Sequence, residues 1–357
     1  LTFLDEHPDE PTFLLLTPQS PHAEGTPAPE DQGTWEGYEW RPKSFAEDDV
    51  SDKPAFIQEH EVTPEDVVDW DARTVLMMEN LQSLDREMAA FYDGLQARGL
   101  LDRATLVFTS DNGMLHGEHR AEDKGLPYEE AVRVPLVVVQ PGLAAGDDDR
   151  LVAINLDIGA LVLDLLGVPG LATDEGESLQ TLLDDPDAPG RDRVFLESAL
   201  AGHPVWAGVV TDRFKYVELS TGESELYDVT VDPYELDSMH ANPPNNTDMD
   251  TLGEWVDEHR SLVITTSWLP AATSGQEYEE TLTSWGGHGT LTWTVEDGSL
   301  PDGFELSTDG VLSGRGRSPG NWSFTVRVTD SETSPLTGAA RSEEHTSELQ
   351  SPDHLVC

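Results

Sequence analysis

The chain has 357 residues, of which 70 are acidic and 20 basic, so its formal net charge is 20 − 70 = −50. A surface this acidic argues against nucleic acid as a partner, because phosphate backbones are bound mainly through lysine and arginine. Hydrophobic residues make up 37% of the chain, which argues against an acidic disordered polymer, and the length is enough for two domains with their own cores.

The basic residues include few lysines: Lys43, Lys53, Lys124 and Lys215. An acid-rich, lysine-poor composition is typical of proteins from salt-loving organisms. Repulsion between like charges destabilises a compact fold at low salt, but the Debye length falls to about 3 Å at 1 M salt, where this repulsion is largely screened. The composition therefore predicts a protein adapted to concentrated salt.

The sequence contains one cysteine, Cys357, so no disulfide can form within the chain. No apolar run is long enough to span a membrane, and no signal peptide is recognisable. The chain opens at Leu1 rather than at a methionine, shortly before an apolar segment from Thr12 to Leu16 that has the pattern of a buried strand. We therefore expect the chain to be a piece of a longer protein.

The clearest periodic pattern predicts a helix over residues 71–98. Its apolar side chains recur at alternating spacings of four and three, and they form one stripe that would pack on a sheet: Met77, Leu81, Leu84, Met88, Phe91 and Leu95. Gly99 suits the position just after the end of this helix. An apolar, β-branched run from Thr105 to Phe108 follows, so helix and strand alternate as they do in α/β proteins.

The loop after this strand concentrates side chains that can bind ions. Before the next apolar run, Val134 to Val139, it contains the following polar residues: Asp111, Asn112, His116, Glu118, His119, Asp123 and Lys124. Oxygen donors at the end of a strand are how an α/β sheet builds an active site. The Asp111 carboxylate and the Asn112 carbonyl suit a hard cation, Ca²⁺ or Mg²⁺, and Lys124 offers a compact charge for an oxyanion. Taken singly, Asp-Asn-Gly would be only a turn, and the lysine and the histidines would be solvated loop residues.

The rest of the chain reads as one more helix and many short strands. The helix is predicted from Ile158 to Leu166, with Asp157 as its N-cap. Four strands joined by turns predict a small antiparallel sheet: Val194–Leu196, Val205–Val210, Lys215–Leu219 and Glu225–Asp228. A linker rich in Asn, Pro and Asp leads into a short amphipathic helix that ends near His259. From Leu262, short alternating segments and glycine turns predict a β-sandwich.

Together these motifs resemble the formylglycine-dependent sulfatases of the alkaline-phosphatase superfamily. The resemblance rests on Asp111-Asn112-Gly113, on Gly117-Glu118-His119, and on Lys124, thirteen residues after Asp111. Pro127-Tyr128-Glu129-Glu130 and Arg133-Val134-Pro135-Leu136 continue the pattern. The resemblance covers roughly residues 1–240 and implies an α/β fold, in which an alkaline-phosphatase-like mixed sheet is flanked by helices and accompanied by a small antiparallel sheet. This chain would hold its C-terminal part.

The resemblance also implies roles for individual residues. Asp111 and Asn112 would bind a divalent cation, Ca²⁺ or Mg²⁺, while Lys124 and His22, which ends Ser20-Pro21-His22, would contact the sulfate group. His119 and His116 are further candidates for substrate contact. In this family the nucleophile is a formylglycine made within a Cys/Ser-x-Pro-x-Arg motif, which does not occur in this chain. We therefore expect a parent enzyme that hydrolyses sulfate esters, and we expect the chain alone to be inactive and to bind Ca²⁺ weakly.

The C-terminal part resembles the Ig-like module that secreted bacterial and archaeal proteins carry in tandem. This implies an extracellular or cell-surface location, and with it a sulfated polysaccharide as substrate. The string that starts at Arg341, RSEEHTSELQS, resembles the translation of a sequencing-library adapter, so no function is expected there. The predicted organisation is a sulfatase part at 1–241, a linker and helix at 242–261, an Ig-like sandwich at 262–336, and a linker with the adapter-like tail at 337–357.

Two other functions stay open from the sequence. A phosphatase or phosphonate hydrolase of the same superfamily would share the Asp-Asn metal motif, and the identity of the nucleophile would decide between these reactions. A non-catalytic surface protein could instead use the fold as a scaffold, with the Ig-like module binding glycan. Absence of a nucleophile from the full gene would favour this last function.

Overall fold

The structure, a computed structural model, describes residues 1–7, 10–22, 25–170, 175–200, 202–245, 247–317, 320–332, 336–341 and 354–355. The chain divides into two compact units. The first comprises Leu1–Val194, Val210–Lys215 and Glu225–Pro243, and the second comprises Phe195–Val209, Tyr216–Ser224 and Pro244–Cys357. Among the described residues, no helix combines the length and the apolar composition that a membrane crossing requires.

Helices and strands alternate along the first two thirds of the chain, and strands dominate the rest. The described helices are α1 Thr2–Glu6, α2 Ala55–Gln58, α3 Pro64–Ala97, α4 Glu129–Val132, α5 Ile154–Leu165, α6 Gln180–Asp184 and α7 Met249–His259. The strands before α7 are β1 Leu106–Thr109, β2 Leu115–His116, β3 Glu122–Asp123, β4 Leu136–Val139, β5 Arg193–Ser198, β6 Trp206–Thr211, β7 Phe214–Leu219 and β8 Ser224–Asp228. Strand β1 pairs antiparallel with β4, β2 pairs with β3, and β5 to β8 form one four-stranded sheet in sequence order. The four short strands predicted for this sheet are therefore confirmed.

Helix α3 begins seven residues earlier than predicted. The Thr63 hydroxyl accepts a hydrogen bond from the Asp66 amide at 3.2 Å, and the Asp66 carboxylate accepts one from the Thr63 amide at 2.7 Å. With Pro64 in the first helical position, this capping box defines the start of the helix. Gly99, in the left-handed region at φ +64°, ends the helix as predicted.

The buried face of α3 differs from the predicted apolar stripe. Its buried residues are Trp70, Thr74, Glu79, Asn80 and Leu95. Only Leu95 belongs to the predicted stripe, and Met88 is 37% exposed. The Asn80 amide donates to the Gly25 carbonyl at 3.2 Å, and the Glu79 carboxylate accepts from the Gly33 amide at 2.8 Å. Part of this face therefore packs on a loop whose backbone groups need polar partners, rather than on an apolar sheet surface.

The predicted strand from Thr12 to Leu16 is not formed. The segment is irregular, and its side chains are exposed, with Phe13 at 56% and Leu15 at 70%. A strand needs a neighbour to pair its N–H and C=O groups, and no described strand pairs with this segment.

Helix α5 begins at Ile154, so Asp157 is not the N-cap that the sequence predicted. It lies in the first turn and is buried, and its carboxylate accepts hydrogen bonds from the amides of Ala153 and Glu177, each at 2.8 Å. The Arg191 guanidinium pairs with the same carboxylate. Asp157 therefore joins the helix start to two later segments.

The core of the first unit lies beneath the β2–β3 hairpin. Its buried members are Val50, Ile57, Leu115, Leu126, Tyr128, Ala131 and Tyr227. Burying each large apolar side chain of this kind contributes roughly 1.5–3 kcal/mol. The hairpin that carries the candidate site therefore rests on a packed apolar base.

The C-terminal part is rich in strands, as the sequence predicted, and these strands form small antiparallel sheets. Its strands are β9 Val263–Ile264, β10 Ala272–Thr273, β11 Glu277–Thr281, β12 Ser284–Trp285, β13 Thr292–Gly298, β14 Phe304–Leu306, β15 Val311–Arg315, β16 Phe324–Thr329, β17 Thr337–Arg341 and β18 His354–Leu355. Two three-stranded sheets, β11-β15-β14 and β13-β16-β17, accompany the pairs β9–β12 and β10–β18. Their shared core contains Leu262, Leu282, Trp293, Leu312, Phe324, Val326 and Val328. Strand β17 lies past residue 336, where the predicted module ends. Residues 342–353 and 356–357, which belong to the adapter-like tail, lie outside the described residues.

Candidate active site

The β2–β3 hairpin brings together residues that are twelve positions apart in the sequence. Asp111 and Asn112 follow β1 directly, and the chain then runs out along β2 and returns along β3. On its return, Lys124 Nζ donates a hydrogen bond to Asn112 Oδ1 at 3.3 Å. The structure therefore places the predicted oxyanion-binding lysine beside one of the predicted metal ligands.

The oxygen atoms of Asp111 and Asn112 form a donor set that fits a hard cation. Asp111 is exposed, and its Oδ1 accepts a hydrogen bond from the backbone N–H of Asn112 at 3.0 Å. Its Oδ2 makes no hydrogen bond within the described part of the chain. The Asn112 side-chain amide donates to the Gly113 carbonyl at 2.7 Å, which orients Oδ1 toward Lys124. An exposed carboxylate beside an oriented carbonyl oxygen suits Ca²⁺ or Mg²⁺.

Two glycines allow this loop to approach its neighbours closely. A Cβ at Gly113 would lie 2.0 Å from the carbonyl oxygen of Glu130. Gly117 has φ +104°, and a Cβ there would lie 2.4 Å from the Trp70 ring and 2.7 Å from the Phe45 ring. A larger residue at either position would displace the hairpin from the body of the unit.

The buried side chain of Glu118 stabilises the tip of the β2–β3 hairpin. Its side chain is buried, and its carboxylate accepts hydrogen bonds from Trp40 Nε1 at 2.6 Å and from the His116 amide. Burial raises the pKa of the Glu118 carboxyl. These contacts assign Glu118 to the support of the loop.

The two loop histidines face the protein interior. His116 is 7% exposed and His119 is fully buried, with its ring stacked on Tyr128 at a centroid distance of 3.9 Å. Burial lowers the pKa of His116. Burial also opposes protonation of His119, but the Glu130 and Glu47 carboxylates outweigh it and raise the pKa of His119 to about 9. The predicted substrate contacts of both histidines stay a prediction, and in this arrangement His119 has no surface that a substrate could touch.

The backbone hydrogen bonds that His22 makes lie within its own loop and do not involve the β2–β3 hairpin. It is exposed, and its amide donates to the Gln19 carbonyl at 2.9 Å in the turn that contains the cis Ser20–Pro21 peptide. In the part of the chain that the structure describes, no hydrogen bond or ion pair joins His22 to Asp111, Asn112 or Lys124. The predicted sulfate contact of His22 therefore has no direct geometric support from these residues.

A buried ionic cluster beneath the hairpin was not predicted. We define it as His119, Glu47, Glu129, Glu130, Glu235, Lys53 and Lys215. Lys215 Nζ lies 2.7 Å from Glu235 Oε1 and 2.9 Å from Glu129 Oε1, and although burial opposes its charge, these carboxylates raise its pKa. Lys53 Nζ lies 3.5 Å from Glu47 Oε1 and donates to the Glu235 carbonyl at 2.7 Å. The sequence feature that could have indicated this cluster is the Pro-Tyr-Glu motif, which occurs twice and contains Glu129 in one copy and Glu235 in the other.

Three family models match consecutive parts of the chain. The model described as Sulfatase matches residues 1–168, and the model described as N-sulphoglucosamine sulphohydrolase, C-terminal, matches residues 117–261. A model named for an Ig domain matches residues 261–346. The two enzyme-family models overlap over residues 117–168, which include Lys124, and Asp111 and Asn112 lie within the Sulfatase match alone.

Similar curated proteins are sulfatases. An N-acetylglucosamine-6-O-sulfatase of Bacteroides thetaiotaomicron is 30% identical over 169 residues, which cover 44% of this chain and 30% of the relative. Arylsulfatase K of Gallus gallus is 33% identical over 166 residues, which cover 43% of this chain and 31% of the relative. The chain thus spans about a third of the length of the curated relatives it matches.

Among solved structures, the chain is similar to a 2-O GAG sulfatase. The TM-score is 0.51 at 20% identity, and the match covers 62% of this chain and 50% of that one. At this level of identity the likeness concerns the fold alone.

Proposed function

The chain belongs to the sulfatase family over residues 1–261, and from this membership we propose that its parent protein hydrolyses sulfate esters. The predicted fold class, an alkaline-phosphatase-like α/β fold with a small antiparallel sheet, is confirmed by the family and by the likeness in fold. The observation that carries the proposal is the hydrogen bond from Lys124 to Asn112 in the loop that exposes Asp111. One loop thereby offers both cation ligands and a fixed positive charge.

In this proposal Asp111 and Asn112 hold a divalent cation, Ca²⁺ or Mg²⁺. Such a cation, when bound, neutralises the oxygen atoms of a sulfate group. Lys124 donates a hydrogen bond to a sulfate oxygen and stabilises the negative charge that builds up as the ester bond breaks. His22 is assigned a contact with the sulfate, on the family resemblance alone. We do not extend the assignment to His116 and His119, because both rings are buried.

The nucleophile would come from outside these 357 residues, which contain no Cys/Ser-x-Pro-x-Arg motif. A formylglycine is the group that the family resemblance implies. We expect the chain alone to turn over no aryl sulfate.

The proposal includes a sulfated carbohydrate as substrate and an extracellular or cell-surface location. The first rests on the name of the relative that acts on N-acetylglucosamine-6-O-sulfate groups, and the second on the Ig-like module. We also propose that the protein works in a salt-rich environment, because its net charge is −50.

The test is hydrolysis of 4-nitrophenyl sulfate by the full-length gene product, produced together with a formylglycine-generating enzyme. Replacing Lys124 with Ala should lower kcat/KM by about 10²–10³-fold, as the loss of one stabilising donor does in other enzymes. Asp111→Ala should abolish activity together with the bound Ca²⁺ or Mg²⁺. Lys43→Ala is the matched control, because Lys43 is an exposed lysine outside the hairpin, and it should retain the parent activity.

Two outcomes would contradict the proposal. The first is unchanged turnover in Lys124→Ala or unchanged Ca²⁺ or Mg²⁺ content in Asp111→Ala. The second is a preference for a phosphate or phosphonate monoester over the sulfate ester in the parent enzyme, which would instead support the alternative reaction.

A further inference from the structure

The ring nitrogens of the buried His119 face two different carboxylates. Nδ1 lies 2.8 Å from Glu47 Oε2, which is a hydrogen bond, whereas Nε2 lies 3.7 Å from Glu130 Oε2. The second distance is too long for a hydrogen bond. Both Nε2 and Glu130 Oε2 are shielded from solvent and have no hydrogen-bond partner among the described residues. The two atoms are therefore close enough for an ion pair but too far apart for a hydrogen bond.

This geometry matches two ligands of one metal ion better than it matches an ion pair. Zinc bonds to imidazole nitrogen and carboxylate oxygen measure about 2.0–2.2 Å, so two such ligands at a tetrahedral angle lie about 3.4 Å apart. A bound metal ion would displace the Nε2 proton, while Nδ1 would keep its proton in the hydrogen bond to Glu47. A carboxylate on the far nitrogen is the usual partner of a histidine that binds metal.

Glu235 supplies a third ligand atom. One carboxylate oxygen of Glu235, one ring nitrogen of His119 and one carboxylate oxygen of Glu130 all lie within 4.8 Å of one another. The Glu235 oxygens accept hydrogen bonds from Lys215 Nζ and from the Glu129 amide, each at 2.7 Å. Each oxygen has a second lone pair, so these hydrogen bonds fix the carboxylate without preventing coordination.

We propose that His119, Glu130 and Glu235 form a buried binding site for a divalent transition-metal ion of the zinc type. One imidazole and two carboxylates favour Zn²⁺ over Ca²⁺, which takes oxygen ligands only. The site differs in residues and in burial from the exposed Asp111–Asn112 cation site, and it does not depend on the proposed sulfatase activity. Through His119, the bound metal ion would link the β2–β3 hairpin to the segments that contain Glu130 and Glu235.

The charge of the buried ionic cluster supports a divalent cation. Metal coordination requires a neutral His119, and the cluster then contains four carboxylates and two ammonium groups, which leaves 2 − 4 = −2. A buried excess charge of this size is costly unless a counter-charge accompanies it. A divalent cation supplies the whole counter-charge, whereas a protonated His119 supplies half of it.

The test uses the complete 357-residue chain, freed of metal with a chelator and titrated with Zn²⁺ at pH 8. Calorimetry and elemental analysis after gel filtration should show a high-affinity zinc per chain, and Co²⁺ substitution should give the intense visible absorption of a four-coordinate site. Glu130→Gln should weaken zinc binding at least about 100-fold. Glu47→Gln, which removes the carboxylate that pairs with Nδ1 and with Lys53, should weaken it about 10- to 100-fold.

Two control variants make the test specific. Glu61→Gln alters an exposed carboxylate elsewhere in the same unit, and His116→Gln alters a second buried histidine of the same hairpin. Both should retain the wild-type affinity for zinc. Failure of the wild-type chain to bind zinc, or wild-type affinity for zinc in Glu130→Gln, would overturn the proposal. So would nitrogen-15 chemical shifts that show His119 protonated on both nitrogens in the presence of zinc.

Discussion

At the scale of single residues, Glu225 has a carboxyl group whose ionisation should control stability. It is buried between the hydroxyls of Tyr128 and Tyr227, which donate to its Oε1 at 3.1 Å and 2.5 Å. Burial raises its pKa from 4.5 to about 7, because the tyrosine hydrogen bonds and the charge of Lys53 offset only part of the cost of desolvation. The folded protein therefore holds the Glu225 proton more tightly than the unfolded chain does.

This shift predicts that stability falls as the pH rises. The contribution of Glu225 is complete below its unfolded pKa near 4.5 and is lost as the pH passes through about 7, a change of about 3 kcal/mol. Urea unfolding in concentrated salt should show wild-type stability falling between pH 5 and pH 8 by roughly this amount more than in Glu225→Gln. The exposed Glu61→Gln variant should keep the wild-type pH dependence. Parallel curves for wild type and Glu225→Gln would refute the role of this group.

The residues of the candidate site were predictable to different degrees. Asp111, Asn112 and Lys124 stand in one short motif, so their chemistry and spacing are visible in the sequence. Glu47 lies 72 residues from His119, and its contact with that ring exists only in the folded chain. Local patterns can therefore predict candidate ligands in the loop, but not the carboxylates that only the folded chain brings close to it.

At the scale of elements, predictions succeeded where local pattern decides the structure. The strands of the β5–β8 sheet alternate and are bounded by turns, and Gly99 closes α3 through a conformation that favours glycine. The start of α3 was missed because the capping box lies in a polar stretch without apolar periodicity. The segment Thr12 to Leu16 was predicted wrongly because its apolar pattern cannot supply the partner strand that pairing requires.

The β2–β3 hairpin gives a prediction at this scale. Gly117→Ala forces a side chain into a left-handed position and against the rings of Trp70 and Phe45, so it should destabilise the fold by roughly 1–3 kcal/mol. Gly146→Ala is the matched control, because its Cβ would meet no atom within 4 Å, and it should change stability by less than about 0.5 kcal/mol. Denaturant unfolding of both variants measures the difference. Equal stability of the two would show that the close approach of the hairpin is not required.

At the scale of the whole molecule, the dominant property is the excess of acidic residues. Even if each of the 20 basic residues paired with its own carboxylate, 70 − 20 = 50 acidic groups would lack a basic partner. The buried ionic cluster shows where lysines are used: Lys53 and Lys215, half of the lysines in the chain, lie in its interior. The surface is therefore left with unbalanced negative charge that only mobile cations can screen.

This imbalance predicts strong stabilisation by salt. Raising KCl from about 0.1 M to 1 M shortens the Debye length from about 10 Å to 3 Å, so repulsion between surface carboxylates weakens and the folded state is favoured. A gain of about 2 kcal/mol would raise the Tm of a domain of this size by roughly 4–8 °C. Thermal unfolding across a KCl series measures the effect, and sucrose at matched osmolarity is the control because it stabilises folds without screening charge. A Tm that does not change with KCl, or that rises equally with sucrose, would show that charge repulsion does not limit the stability of this fold.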